Sequence, residues 1–386
     1  MTAHSFTIAI GQDRLDWIAR RIDEYDWHEA PARGGWADGT NKQLLQDLCG
    51  YWREAFNWRA TEAHLNRLPH FTADTPLGGE TVPIHFIHKQ SNSPKARPLI
   101  LSHGWPGSFY EFDHLIEALA NPQDFGGDEA DAFHVIVPSL PGYGFSGPPS
   151  NPIGPRATAA AFNHMMTETL GYGDYWAQGG DWGSMVTSWL GAEHDACTAI
   201  HINMLGFNRP VPASDQSDEE KAWRAQSRIG MDLEGAYFRL QATKAQTLSY
   251  AMMDSPVGQA AWIVEKFKTW SDLDGEDLTS VYTFDQLLTN IMLYVATRRF
   301  NTASWMYRGF MEEMMGLGAS LPRVGVPTGI AAFPRDTILT WPPRSVVDRN
   351  YAVAQWTDFE RGGHFAAMEK PEAFLADVRA FFRTQR

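Results

Sequence analysis

Cysteine, long apolar runs and positive charge are what this sequence of 386 residues is short of. Its two cysteines, Cys49 and Cys197, make no disulfide framework. Both sit in apolar helical or strand-like surroundings and read as buried free thiols. No Cys/His cluster has zinc spacing, and nothing calls for a metal or an organic cofactor. No stretch approaches the ~20 apolar residues of a membrane span. The opening MTAHSFTIAIGQDRLDW lacks the basic-then-apolar order of a secretory leader, so a cytoplasmic protein is the expectation. A formal net charge of -14 sets the electrostatics against nucleic acid. Repeats and low-complexity tracts are absent as well.

What is present is a globular composition, 44% hydrophobic, long enough for one large core and an accessory segment. The 15 tryptophans point to an aromatic-lined core or pocket. Residues 1–70 read as an N-terminal helical extension that precedes any strand. Leu15, Ile18, Ile22 and Tyr25 fall at helical spacing, as do Leu44, Leu48, Tyr51 and Trp52. From Phe71 the texture changes to strand-like runs around Gly78-Gly79, a hairpin signal. Short apolar runs at Leu99–Leu101, His134–Val137, Tyr175–Gln178 and Ala199–Met204 then alternate with helical stretches. That alternation predicts a mostly parallel sheet flanked by helices over residues 71–209. Residues 210–322 show only helical patterns and read as a lid inserted into the series. The sheet resumes in 323–386 with runs at Pro327–Phe333 and Tyr351–Phe359 and a closing helix.

The chemistry centres on Gly179-Gly180-Asp181-Trp182-Gly183, between a strand-like run and a helical one. Small-x-nucleophile-x-small at such a junction is the nucleophile elbow of an α/β-hydrolase, the expected fold class. The turn is too tight for side chains beside the nucleophile. Ser is usual at its centre; here the residue is Asp181, which could alternatively cap the following helix. His103-Gly104-Trp105-Pro106-Gly107-Ser108 follows the Leu99–Leu101 strand. A backbone N–H there, from Trp105, would pair with that of Trp182 to form an oxyanion hole. His364, in Gly362-Gly363-His364-Phe365 behind the last strand, takes the terminal place of the nucleophile–acid–His order. The acid is expected after an earlier strand. Asp336 holds that place, ahead of Asp348, Asp358 and Glu360; the other usual location carries Asn203.

A carboxylate nucleophile constrains the reaction. With a reference pKa of ~3.9 it is ionised without a base. Attack on an ester carbonyl would give a labile anhydride, whereas attack on saturated carbon gives an alkyl ester on Asp181. His364, oriented by Asp336, is then free to activate water against that ester. The leaving group is a halide or an epoxide oxygen, and the latter needs a proton donor such as a lid tyrosine.

Taken together the chain resembles the microsomal-type epoxide hydrolases, including juvenile-hormone and fungal soluble members. The resemblance spans nearly the whole chain. It is carried by Tyr51-Trp52-Arg53, Phe56-Asn57-Trp58-Arg59, His103–Ser108, Pro138–Ser146, Asp254–Gly258 with Trp262–Lys266, Gly179–Ser184 and Gly362–Ala367. It implies an epoxide and water as substrates, no cofactor, and two lid tyrosines on the epoxide oxygen. The first falls on Tyr237, although Ala245 stands where the family usually has Pro. The second falls on Tyr307, with Tyr294 as the alternative. Without the apolar N-terminal anchor of the membrane-bound relatives, the chain is similar to the soluble members, and a homodimer is compatible with the resemblance. Two other readings stay open: a haloalkane dehalogenase, separated by chloride release, and a ligand-binding homologue without turnover. Whether the epoxide is an aromatic oxide, a lipid epoxide or a secondary-metabolite intermediate is open too.

Overall fold

The computed structural model describes residues 2–275, 277–317, 321–336 and 340–386. One nine-stranded sheet runs through it in the order β1-β2-β3-β5-β4-β6-β7-β8-β9. The strands are β1 (His4–Phe6), β2 (His70–Leu77), β3 (Glu80–Lys89), β4 (Arg97–Ser102), β5 (Phe133–Pro138), β6 (Tyr175–Gly179), β7 (Cys197–Ile202), β8 (Val324–Ala332) and β9 (Tyr351–Asp358). Neighbouring strands in the run β1-β2-β3-β5 are antiparallel, and every neighbouring pair in the run β5-β4-β6-β7-β8-β9 is parallel. The fold class is that of the α/β-hydrolases. Strands β4 to β7 read as continuous apolar runs because helices cover both faces of a parallel sheet. The β2–β3 hairpin turns at Gly78 and Gly79, both in the left-handed region (φ 59 and 87), as a two-residue turn that follows the strand twist requires.

The N-terminal segment differs from the sequence reading in one respect. Its helices do not precede every strand: β1 lies ahead of them and pairs with β2 through His4–Thr72, Ser5–Phe71 and Phe6–His70. Three residues are too few to show an alternation, so this edge strand has no period to be recognised by. Helices α1 (Gln12–Asp23), α2 (Lys42–Glu54) and α3 (Trp58–Leu65) follow. Asn41 and Asn57 cap α2 and α3 by accepting from Leu44 N–H and Ala60 N–H.

Helices α4 (Asp113–Ala120), α5 (Pro155–His164) and α6 (Trp182–Glu193) sit in the βα series, and α13 (Arg344–Asn350), α14 (Ala366–Glu369) and α15 (Pro371–Arg383) near its end. Between β7 and β8 lies a helical insertion of α7 (Asp218–Glu234), α8 (Ala236–Thr243), α9 (Ala245–Asp254), α10 (Pro256–Trp270), α11 (Phe284–Val295) and α12 (Phe300–Leu317). The N-terminal helices strap this insertion down. Thr40 donates to Ala261 O (2.7 Å), Tyr51 to Asp285 (3.0 Å), and Arg14 to Val295 O (2.5 Å). Cys49 and Cys197 are both free and buried. No helix among the described residues is long and apolar enough to cross a membrane.

Candidate active site

Strand β6 delivers Asp181 at its carboxyl end, in the middle of the sheet. The residue has φ 50 and ψ -128, one of two non-glycine residues with positive φ among those described. Such a backbone costs about 1–3 kcal/mol and persists only where the surroundings enforce it. The enforcement comes from the glycines. A Cβ on Gly183 would lie 1.8 Å from Ser102 O, and one on Gly179 would lie 2.2 Å from Gly183 O. A Cβ on Gly180 would meet the Asn203 amide at 2.7 Å. The alternative of helix capping does not apply: Asp181 is the residue before α6, yet its side chain makes no capping bond.

Instead the carboxylate points at two other groups. Its Oδ1 accepts from Trp105 N–H at 2.8 Å, and its Oδ2 lies 3.3 Å from His364 Nε2. The imidazole Nδ1 donates to Asp336 Oδ2 at 3.0 Å. Asp181, His364 and Asp336 are thus in one line of contacts, from three different βα junctions. Two of the other acids weighed for the third position, Asp348 and Asp358, are engaged elsewhere. Asp348 pairs with Arg344, and Asp358 accepts from the Trp356 indole. Of the two backbone donors expected at Asp181, Trp105 N–H is on the carboxylate. Among the described residues Trp182 N–H forms no bond to it in this arrangement.

The electrostatics follow from this geometry. Burial alone would lower the His364 imidazole, but Asp336 and Asp181 outweigh it and hold the group well above its ordinary value. His103 behaves oppositely. Burial lowers it to about 4, so it is neutral; its Nδ1 donates to Gly104 O (2.9 Å) and its Nε2 accepts from Leu140 N–H (3.2 Å). It is a staple of the Trp105 turn and no part of the proton path.

The helical insertion closes the site from above. Asn290 Nδ2 donates to Pro106 O (2.7 Å) and Ser108 Oγ to Asn290 Oδ1 (2.8 Å). His364 N–H donates to Trp270 O (2.8 Å) at the end of α10. Tyr237, from α8, stacks on Trp105 with ring centroids 5.1 Å apart and 9° between planes. Tyr307, from α12, meets the edges of Trp182 (4.7 Å), Trp105 (5.8 Å) and Tyr237 (5.9 Å). Burial raises both phenols well above their ordinary value, and the Asp181 charge adds to it. Tyr294 is committed elsewhere: its hydroxyl donates to Gly107 O at 2.6 Å. Of the tyrosines weighed in the insertion, Tyr237 and Tyr307 are the two whose rings pack on Trp105 and Trp182 beside Asp181.

Two carboxylates at the site carry no motif and escape the sequence. Glu111 is half-buried with its carboxylate where a Cβ on Gly107 would sit. Burial pushes it up to about 8 against the pull of His364. It borders a cavity of about 10 Å³ shared with Asp181, Asn203 and His364, close to the space one water fills. Glu369 grips the His364 loop by accepting from Gly363 N–H (2.8 Å), Phe365 N–H (2.8 Å) and Asp272 N–H (2.7 Å).

Known proteins share this sequence and fold. Residues 3–112 match the family of the epoxide hydrolase N terminus, and residues 97–230 that of the alpha/beta hydrolase fold. A Stigmatella aurantiaca protein bearing the epoxide hydrolase name is 41% identical over 384 residues, 99% of this chain and 85% of that one. Epoxide hydrolase 1 of Sus scrofa is 33% identical over 97% of this chain and 87% of its own length. The solved Aspergillus niger epoxide hydrolase superposes with a TM-score of 0.84 at 31% identity, covering 100% of this chain and 97% of that chain. A shared core would be expected of any protein with this sheet, but likeness at this identity also takes in the N-terminal helices and the insertion, and on that ground the chain belongs to the epoxide hydrolase family.

Proposed function

We propose that the protein opens an epoxide to a vicinal diol through a covalent ester on Asp181. The observation that carries the reading is the pair of buried tyrosines packed on Trp105 and Trp182, the residues on either side of an aspartate held at the elbow. An Oδ of Asp181 attacks one epoxide carbon. The ring C–O bond breaks, its electron pair goes to oxygen, and Tyr237 and Tyr307 donate hydrogen bonds to that oxygen, one phenol passing its proton to it. His364 then removes a proton from a water, which attacks Cγ of the ester. The tetrahedral oxygen is received by Trp105 N–H and, once the turn is occupied, by Trp182 N–H. Collapse breaks the bond from Cγ to the substrate oxygen; that oxygen takes the proton held by His364, the water's second proton returns to the phenol, and Asp181 is left as a carboxylate. Asp336 keeps the imidazole oriented, and Glu111 borders the space in which the water would stand.

In this reading residues 210–322 are a lid over a core of 71–209 and 323–386, with 1–70 as a brace. The two unpaired buried thiols are in keeping with a cytoplasmic setting. Aromatic rings from both lid and core around Asp181 favour an epoxide with an apolar or aryl substituent.

Product analysis tests the reading. Incubation with cyclohexene oxide and styrene oxide is expected to give diol over many turnovers, and the ring epoxide should give the trans diol, because water never touches the inverted carbon. A cis diol, or chloride release from haloalkanes with no diol from any epoxide, would overturn it.

A further inference from the structure

Lys266 ends one of the blocks that carry the family resemblance, and the reaction so far gives its charge no role. It lies in α10 and is buried, 5% exposed. Its Nζ is 2.5 Å from Glu265 Oε2. It also stands 4.7 Å from the ring centroid of Tyr237 and 5.6 Å from that of Trp270. Taking an ammonium out of water is expensive, and a well-packed apolar side chain of similar volume is often the more stable choice. One carboxylate occupies part of a three-donor head. The rest faces aromatic rings, which attract a cation through their quadrupole, the more so when desolvated.

The ring it faces is the one whose hydroxyl must stabilise a leaving oxygen. Burial, Asp181 and Asp336 all work against charge on that phenol, and Glu265 does too. A positive charge against the ring works in the opposite sense. It stabilises the negative charge that develops on the phenol as its proton is drawn toward the departing oxygen, and so makes the O–H a stronger donor at the moment the epoxide C–O bond breaks. We propose that Lys266 is a positioning residue that acts through Tyr237, strengthening its hydrogen bond to the departing epoxide oxygen. Glu265 holds the ammonium in place. This rests on the reading of Tyr237 as a donor in epoxide opening.

The test separates the two chemical steps and asks whether Lys266 works through the phenol. Single-turnover fluorescence with styrene oxide reports ester formation and decay, since Trp105 and Trp182 flank Asp181. Lys266→Met and Lys266→Gln are each compared in the wild-type and in a Tyr237→Phe background, with Lys266→Arg as the conservative variant. Ester formation is expected to slow about tenfold in Lys266→Met and Lys266→Gln, the change one pKa-unit-sized interaction gives. Ester hydrolysis should stay within about twofold, and Lys266→Arg within about threefold, of wild type. In the Tyr237→Phe background the lysine change should add less than about twofold, because the group it acts through is gone. An equal slowing in both backgrounds, or of both steps together, would overturn the proposal and assign Lys266 to packing. So would failure of both neutral variants to fold while Lys266→Arg folds. If wild-type enzyme forms no ester, or Tyr237→Phe alone leaves ester formation unchanged, it is the underlying reading that fails, whatever the lysine variants do.

Discussion

An enzyme carrying His364→Gln is expected to stall after its first chemical step. Asp181 keeps its backbone, its glycine frame and its bond from Trp105 N–H, so it still attacks the epoxide. The water that should cleave the ester then lacks its base. Loss of a positioned general base costs about 10²–10⁴-fold, so steady-state turnover should fall by that factor. The protein should gain the mass of one substrate on the peptide containing Asp181. Normal turnover by this variant would rule out His364 as the base.

The same site has a pH consequence. In the resting state Asp336 and Asp181 hold the imidazole well above its ordinary value despite burial, so His364 is protonated over a wide range. A protonated imidazole cannot take a proton from water. Ester formation removes the charge on Asp181, one of the two groups that raise the imidazole. Its pKa must then fall, and His364 becomes a base when one is needed. The rate of ester hydrolysis should therefore rise with pH through a pKa lower than that of the free enzyme. Burst-phase kinetics across pH read both values; equal values would contradict the coupling.

Gly183→Ala is expected to be the most damaging of the conservative substitutions. Gly183 lies in the first turn of α6, where helix propensity alone would favour Ala by up to about 1 kcal/mol. The added Cβ, however, would stand 1.8 Å from Ser102 O and 2.9 Å from His103 O. Both are backbone atoms, of β4 and of the turn that follows it, so neither can swing aside. Overpacking of this kind costs about 1–3 kcal/mol or more. The only relief is to move the elbow, and a shift of about 1 Å at a nucleophile is worth about 10²-fold in rate. Activity should fall by at least that much, with a lower thermal midpoint. Gly50→Ala in α2 supplies the contrast, since nothing lies within 4 Å of its Cβ; it should be neutral or slightly stabilising. An active, stable Gly183→Ala enzyme would show that the elbow is not sterically held.

Much of the site was legible because its demands are local. The elbow needs small residues at fixed offsets from the nucleophile, and the strand ends place Asp336 and His364 in order along the chain. Strands β4, β6 and β7 stood out because burial on both faces makes them mostly apolar, with few polar residues such as Gln178 and His201. Other features depend on neighbours that sequence does not reveal. Strand β1 owes its existence to pairing with residues near 71, not to any period of its own. Glu111 and His364 are 253 positions apart, and only the fold sets them on one small cavity. Tyr294 and Tyr307 lie on successive helices of similar character; the choice between them turns on a carbonyl, Gly107 O, that occupies one of the two hydroxyls. Lys266 ends the Trp262–Lys266 block, but the block assigns it no role until Tyr237 is seen beneath it.

The most direct measurement is a single turnover in oxygen-18 water with enzyme in excess of epoxide. If water attacks the ester carbonyl, the diol oxygen comes from the Asp181 carboxylate and the label stays in the enzyme. Mass spectrometry should then find one oxygen-18 in the peptide containing Asp181 and none in the diol. Label in the diol with an unlabelled Asp181 would mean that water opens the epoxide directly, and the covalent role of Asp181 would be wrong.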